Sequence, residues 1–190
     1  MKVLLYCTKA KPYLHYRPTE NCDTHYVLWD KISEEKQLLN GKVVASFDFD
    51  RWEEIKTKYY FRNVTYELQD ELLYMSKLTQ EQLKAYGKGK DLYAYYIDNL
   101  QVFDEPIELG ELYVEDNKCD TIIGMTKDFR SMYIFGKPVT KAPQSYMYVY
   151  YKGEKCLLLS VKSEWVYKIL NGEKTVEIRK TLPKEVKENV

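Results

Sequence analysis

The sequence predicts a mostly β fold of the α+β class, in which about six short strands and two or three short helices form a small closed or partly closed barrel. Three observations support this prediction. Short apolar runs are bounded by Gly, Pro and Asn, strands and helices do not alternate as in a βαβ fold, and tyrosine is abundant, with 19 residues in 190. Tyrosine suits half-buried strands because its ring is apolar and its hydroxyl can stay in water.

The first strands follow from apolar runs and a turn. Residues 2–8 predict a central strand, and the turn at Asn40 and Gly41 precedes a second strand. Residues 91–103 predict one long strand, bent near Asp98 and Asn99.

A short helix is predicted within residues 78–87. Thr79 is the expected N-cap, Gln82 occupies the third helical position, and Gly87 ends the helix. Residues 115–145 contain several Gly and Pro and are predicted to be irregular.

The C-terminal part predicts a hairpin, a helix and a strand. Residues 145–151 and 155–162 are apolar runs separated by about three residues that include Gly, which is the pattern of a β-hairpin. A helix capped by Ser163 and ended by Gly172 follows, and residues 174–181 predict the last strand.

Length, charge and cysteine use predict one cytoplasmic domain over residues 1–190. The formal net charge of zero argues against indiscriminate nucleic-acid binding but leaves room for a local basic pocket. No two cysteines have CxxC spacing, so no metal site or cofactor is expected, and Cys7 and Cys156 should be buried thiols. No signal peptide or membrane-length apolar run is found, which favours the reduced cytoplasm and no membrane partner.

The last strand carries the candidate site. Thr175, Glu177 and Arg179 alternate with apolar residues and therefore share one strand face. A carboxylate two residues from a guanidinium can fix its orientation, and Lys174 and Lys162 supply further positive charge. A plain salt-bridged strand face is the alternative interpretation of these residues.

Residues 157–184, LLLSVKSEWVYKILNGEKTVEIRKTLPK, resemble the opening of the ASCH domain, a branch of the PUA-like superfamily. The positions that match the family motif are Ser160, Lys162, Gly172, Lys174, Thr175, Glu177 and Arg179. Segments similar to the rest of the bacterial and phage type precede this motif: LLYCTKAKP at 4–12, LNGKVVASF at 39–47, LTQEQL at 78–83, LYAYYIDNLQVFDEPIEL at 92–109 and APQSYMYV at 142–149.

The resemblance implies a circularly permuted PUA-like barrel. Residues 154–190 would supply the usual N-terminal strand, helix and strand, and residues 2–151 the remainder. Permutation is tolerated where the original termini lie close together. The motif order is also compatible with a fragment of a longer tandem protein, and with strands exchanged between two molecules.

ASCH domains are thought to bind RNA or nucleotides in a cleft, so the resemblance implies RNA, a nucleotide or a modified nucleoside as the partner. The ligand-binding candidates are Lys162, Lys174, Thr175, Glu177, Arg179, Thr8, Lys9, Lys11, Gln144 and Ser145. Phosphate would meet the cations, and a base edge would meet Glu177.

Two other functions are alternatives to RNA or nucleotide binding. Some small ASCH proteins hydrolyse the amide of N4-acetylcytidine, with a Lys that corresponds to Lys174 and a Thr three residues later. That position is Glu177 here, and the Glu that is the third member of the motif has no clear counterpart, so an amidohydrolase is the weaker hypothesis. The other alternative is a protein-interaction module. The tyrosines Tyr93, Tyr95 and Tyr148 are interpreted as barrel-wall residues, or otherwise as base-stacking residues.

Overall fold

The computed structural model describes residues 1–8, 15–16, 26–27, 39, 41–60, 63–67, 69–126 and 132–187. The chain forms two compact units. The first unit comprises Met1, Phe47–Gln101 and Tyr167–Val190, and the second comprises Lys2–Ser46 and Val102–Val166. The sequence predicts a single domain over residues 1–190, and this division into compact units does not test that prediction.

The secondary structure consists mainly of strands. In chain order these are β1 (Lys2–Thr8), β2 (His15–Tyr16), β3 (Tyr26–Val27), β4 (Lys42–Asp48), β5 (Trp52–Ile55), β6 (Thr57–Tyr60), β7 (Asn63–Tyr66), β8 (Leu92–Tyr96), β9 (Asp98–Glu108), β10 (Tyr113–Glu115), β11 (Ile122–Met125), β12 (Tyr133–Pro138), β13 (Tyr146–Tyr151), β14 (Glu154–Lys162) and β15 (Val176–Arg179). The helices are α1 (Asp70–Ser76), α2 (Gln80–Gly87), α3 (Ser163–Leu170) and α4 (Lys184–Lys187), with a 3-10 turn at Leu109–Glu111. The mostly β class with short helices is therefore confirmed. No helix in the described part of the chain is long and apolar enough to cross a membrane.

The second unit contains most of an eight-stranded sheet, in the order β11-β12-β10-β13-β14-β1-β4-β9. Strands β13 and β14 form the predicted hairpin, whose two turn residues, Lys152 and Gly153, have φ of 51° and 81°. Such a turn matches the right-handed twist of the flanking strands. Strand β1 lies parallel to β14 with Leu5 opposite Leu159, and its apolar side chains are buried, as predicted for a central strand.

The eight-stranded sheet has two edge strands, β9 and β11, and within the described ranges no pairing joins them. A fully closed barrel is therefore not formed by these strands. The core of this unit is built from both sheet and connecting segments: Leu4, Tyr6, Val43, Ile107, Leu112, Val139, Val149, Cys156 and Leu158. Burial of Cys7 and Cys156 is confirmed.

The first unit contains a three-stranded antiparallel sheet, β15-β8-β5, and a separate hairpin of β6 and β7. Helices α1 and α2 supply Leu72 and Leu83 to a core that also contains Val176 and Ile178. This packing covers the apolar face of β15, and the charged residues of the opposite face, Glu177 and Arg179, are also buried, each 7% exposed.

Helix α2 begins as predicted but ends differently. The Thr79 hydroxyl accepts from the backbone N–H of Gln82, and the Gln82 side chain accepts from the N–H of Thr79, which is a complete capping box. Gly87 is the last helical residue, whereas Lys88 adopts the left-handed C-cap conformation. The absence of a side chain at Gly87 makes room for Tyr66, since a Cβ there would lie 1.7 Å from the Tyr66 hydroxyl oxygen.

The strand predicted over residues 91–103 is two strands. It is interrupted at Ile97, and β8 and β9 belong to different sheets. Asn99 has a φ of 51°, a left-handed conformation that Asn tolerates better than most residues.

Several short elements differ from the sequence prediction or lie outside it. Residues 115–145 are predicted to be irregular but contain β11 and β12, and the chain between Trp52 and Tyr66 forms β5, β6 and β7. These strands are short, and β5, β11 and β12 expose much of their length, so their apolar alternation is weak. Helix α1 is likewise not predicted from sequence.

Candidate functional site

The polar face of β15 holds the motif residues of the first unit. Val176 and Ile178 point into the core, whereas Glu177 and Arg179 lie on the opposite face, as the alternation predicts. Antiparallel pairing with β8 sets Glu177 opposite Tyr95. Sheet hydrogen bonds and core packing fix the backbone of β15, and they therefore fix the position from which these two charged side chains project.

Lys174, two residues before β15, is buried with a side-chain exposure of only 1%. Its Nζ donates hydrogen bonds to the carbonyl oxygens of Ser76 and Val176, both at 2.7 Å, and lies 3.3 Å from Oε2 of Glu177. An ammonium group has three donors, so these three acceptors match its capacity. Burial lowers the pKa of Lys174, and the Glu177 carboxylate opposes that shift.

Glu177 also pairs with Arg179. The Nε atom of Arg179 lies 3.0 Å from Oε1 of Glu177, and both residues are buried. The carboxylate is thus shared between two cations, and the three charged groups sum to +1. We call Lys174, Glu177 and Arg179 the β15 charge network. Desolvating charged groups costs several kcal/mol per ion, which close pairing must offset.

Tyr86 and Lys180 border the β15 charge network. The Nζ of Lys180 lies 4.7 Å from the centroid of the Tyr86 ring, and Tyr86 remains 38% exposed. Burial raises the pKa of Tyr86, the Arg179 guanidinium opposes the rise, and the Glu177 carboxylate adds to it. The network therefore has an exposed aromatic ring and an exposed cation at its border.

Tyr95 is fully buried, and its hydroxyl donates to the carbonyl oxygen of Thr181. It is therefore a core residue and is unavailable for stacking on a ligand. Its hydrogen bond anchors the chain just after β15 to the sheet. Tyr93 and Tyr148, the other two tyrosines considered from sequence, are half-buried.

The second unit holds the other described candidates. Thr8 and Lys162 are register partners in the β1–β14 ladder, and the Lys162 side chain is exposed, with Nζ 4.0 Å from Glu164. Gln144 is exposed, and the Ser145 carbonyl oxygen accepts a hydrogen bond from an N–H of β14, at 2.9 Å. Lys9 and Lys11 lie outside the described residues.

A cavity of about 510 Å³ also lies in the second unit. Thr8 is part of its lining, together with Tyr6, Glu108 and Lys141. Glu108 forms an ion pair with Lys42 at 3.0 Å, so the charge of that carboxylate is compensated within the protein. Among the described residues, no group of three His, Cys, Asp or Glu side chains is placed to hold a metal ion.

The sequence pattern identifies the charge network but not its surroundings. Lys180 directly follows the motif and could have been included for that reason. Tyr86 offers a weaker signal, as an aromatic residue near the end of a short helix. Ser76 offers none, because it acts through its backbone carbonyl, which every residue possesses.

Comparison with models of protein families, with curated proteins and with solved structures finds no match to this chain.

Proposed function

We propose that this chain is an RNA- or nucleotide-binding protein of the ASCH type, and that its anionic ligand binds at the β15 charge network. The observation that carries the proposal is the pairing of two buried cations with one buried carboxylate at a single short strand. If this face of β15 had only a structural role, apolar side chains would fill it without the cost of desolvating three charged groups. The excess positive charge suits a phosphate group, which is also the charged part of any nucleotide.

The three members of the network have different roles in this proposal. Arg179, whose side chain keeps 9% exposure against 1% for Lys174, contacts the phosphate, because a guanidinium offers several donors in a fixed plane. Glu177 holds the guanidinium in place, and Lys174 holds Glu177 from the buried side. Lys174 is a positioning residue, since its Nζ already has three acceptors within the protein. Thr175, which directly precedes β15 and whose backbone bonds to Met75 and Ile97, is a further proposed contributor.

The proposal extends to the fold, which would be PUA-like with a permuted motif order in one domain. Its support is that β14 pairs with both β13 and β1 of the same chain, whereas a detached C-terminal arm would not. Val190, whose distance from Met1 would test the permutation, lies outside the described residues. The second-unit candidates Lys162, Thr8, Gln144 and Ser145 stay predictions from the sequence. A bacterial or phage source and a cytoplasmic location belong to the same proposal.

The amidohydrolase alternative receives less support. A catalytic lysine must touch its substrate, and the Nζ of Lys174 is buried against two carbonyl oxygens and a carboxylate. The residue three positions later is Glu177, which binds that amine. If no nucleoside, nucleotide or RNA binds, the remaining alternative is that the chain is a protein-interaction module.

The proposed function is tested by binding rather than by activity. Nucleosides, nucleotides and short single-stranded RNAs are titrated against the wild type, Arg179→Gln and Arg179→Lys, with fluorescence anisotropy and thermal shift as readouts. Loss of a charge-assisted hydrogen bond costs about 1.5–3 kcal/mol, so Arg179→Gln should weaken binding roughly 10- to 150-fold. Arg179→Lys keeps the positive charge beside Glu177 and tests whether the planar guanidinium matters.

Lys118→Gln is the matched control, because it removes one exposed positive charge in the second unit. It should leave the affinity within about twofold of the wild type, apart from a small general salt effect. The proposal is wrong if none of the probes binds, or if Arg179→Gln binds as tightly as the wild type while circular dichroism shows it folded.

A further inference from the structure

Two exposed tyrosines of the first unit each carry a lysine against the ring. Tyr74 on α1 is 73% exposed, and the Nζ of Lys77 lies 3.6 Å from its ring centroid. Tyr86 on α2 is paired with Lys180 in the same manner, at 4.7 Å. We call Tyr74–Lys77 and Tyr86–Lys180 the two aromatic–lysine platforms.

The platforms flank the two ends of β15. At its N-terminal end, the carbonyl oxygen of Ser76 accepts from Nζ of Lys174, and that of Met75 accepts from the N–H of Thr175 at 3.1 Å. The segment that carries Tyr74 and Lys77 is therefore fixed beside the start of the strand. At the other end, Lys180 directly follows Arg179.

The two platforms are attached to the chain at opposite ends of β15, and the length of chain between those points can be calculated. Five residue steps separate Thr175 from Lys180, which at about 3.3 Å per step amounts to ~16 Å. A single nucleotide is too small to reach both platforms, whereas a short single strand can pass along both and along the charge network between them. Each platform combines a ring that can stack with a base and a cation that can neutralise a neighbouring phosphate.

The tyrosine content expected of sheets does not explain the exposure of these two rings, because both lie on helices. Tyr95 shows what a structural tyrosine does in this unit: its ring is buried and its hydroxyl has a partner. Tyr74 instead is 73% exposed, with Nζ of Lys77 3.6 Å from its ring centroid. Proteins that bind single strands combine such exposed aromatic rings with basic residues that follow the backbone.

We infer that the ligand of this site is a single-stranded RNA segment of several nucleotides, two of whose bases stack on Tyr74 and Tyr86. Arg179 meets the backbone phosphate between those bases, and Lys77 and Lys180 neutralise the flanking phosphates. The inference rests on the proposed function and narrows its ligand class from a nucleotide to a strand.

The test compares ring removal with ring retention. The Kd of a labelled oligouridylate of about eight nucleotides is measured by anisotropy for the wild type, Tyr74→Ala, Tyr86→Ala, Tyr74→Phe and Tyr86→Phe. Stacking contributes about 1–3 kcal/mol per base, so each Ala variant should bind roughly 5- to 150-fold more weakly. Each Phe variant keeps the ring and should bind within about threefold of the wild type.

Tyr59→Ala is the control for a general loss of surface aromatic area. Tyr59, on the β6 strand of the separate hairpin, is also exposed, at 67%, and its hydroxyl donates to the carbonyl oxygen of Gly89. Its replacement should leave the Kd unchanged. Because Tyr86 is half-buried, the folded state of each variant is checked by circular dichroism, and Tyr74→Ala tests the inference even if Tyr86→Ala unfolds.

The possible outcomes separate this inference from the proposed function. If the oligouridylate and all nucleotides fail to bind the wild type, the proposed function itself is wrong. If RNA binds and Arg179→Gln weakens it, but folded Tyr74→Ala binds like the wild type, the stacking inference is overturned and the proposed function stands. Equal affinity for uridine monophosphate and the oligomer would also overturn the inference.

Discussion

Replacing Glu177 by Gln should destabilise the protein more than any single surface change. The carboxylate lies 3.3 Å from Nζ of Lys174 and 3.0 Å from Nε of Arg179. At an effective dielectric constant of about 20, each pair is worth ~5 kcal/mol of attraction, so the variant loses about 10 kcal/mol. The Glu177→Gln variant does not have to desolvate a carboxylate on folding, which offsets several kcal/mol of that loss. The free energy of unfolding should therefore fall by about 3–5 kcal/mol.

The deficit of Glu177→Gln should depend on pH in a defined direction. Burial lowers the pKa of Lys174, and Glu177 opposes this, so removing the carboxylate lowers that pKa further. The folded-state pKa then lies below the unfolded value of about 10.4, and between the two values the unfolded state binds more protons. The free energy of unfolding of the variant therefore rises with pH in this window. The wild type, whose Lys174 pKa is lowered less, begins to gain this increment only at higher pH, so the deficit should shrink as the pH rises from the folded-state pKa of the variant to that of the wild type.

Urea unfolding followed by circular dichroism at pH 7 and at higher pH measures both effects. Glu67→Gln is the matched control, because that exposed carboxylate lies 2.5 Å from Nζ of Lys58 at the surface of the same unit. It should cost less than about 1 kcal/mol. The reasoning is refuted if Glu177→Gln unfolds within about 1 kcal/mol of the wild type at both pH values, since the network would then not be desolvated.

Three further predictions concern the fold. Thr79→Ala should cost about 1 kcal/mol in urea unfolding because it removes the capping hydroxyl of α2, and Thr79→Ser should restore most of it. Gly136→Ala should lower the melting temperature by several degrees, because its Cβ would lie 2.4 Å from the backbone oxygen of Val114; an unchanged melting temperature would contradict that geometry. Burial raises the pKa of Cys7 and Cys156 to about 11, so both thiols should resist alkylation at pH 8 until urea is added. The same shifts imply that stability is lost as pH rises from about 9 to about 11, because the unfolded thiols lose their protons first.

Prediction from sequence worked best where the relevant interactions are local. The capping box of α2 needs only Thr79 and Gln82, three residues apart, and the β13–β14 hairpin needs only apolar runs around a turn with Gly153. The alternation along β15 likewise follows from the two-residue period of a strand. The sequence predicts a bend near Asp98 and Asn99 but not the division into two strands at Ile97, because β8 and β9 pair with different sheets.

The ligand-binding candidates show the same difference between local interactions, which the sequence predicts, and long-range contacts, which it does not. Sequence identified Lys174, Glu177 and Arg179 as charges at one strand, but it treated Lys174 as an accessible cation. The burial of Lys174 depends on the carbonyl oxygen of Ser76, 98 residues away in the chain. No residue type is required to supply a backbone carbonyl, so no sequence pattern records this contact.

The sequence by itself determined the mostly β class, the first central strand, the cap of α2, the last hairpin and the residues of the charge network. Turn chemistry, capping and side-chain alternation act over a few residues, and they leave patterns that can be read directly. Only the tertiary structure decided that β1 lies parallel to β14, that Lys174 is buried, and that Tyr74 and Tyr86 stand exposed at the two ends of β15. These features depend on segments far apart in the chain, whose association is set by the packing of the whole fold and not by any local pattern.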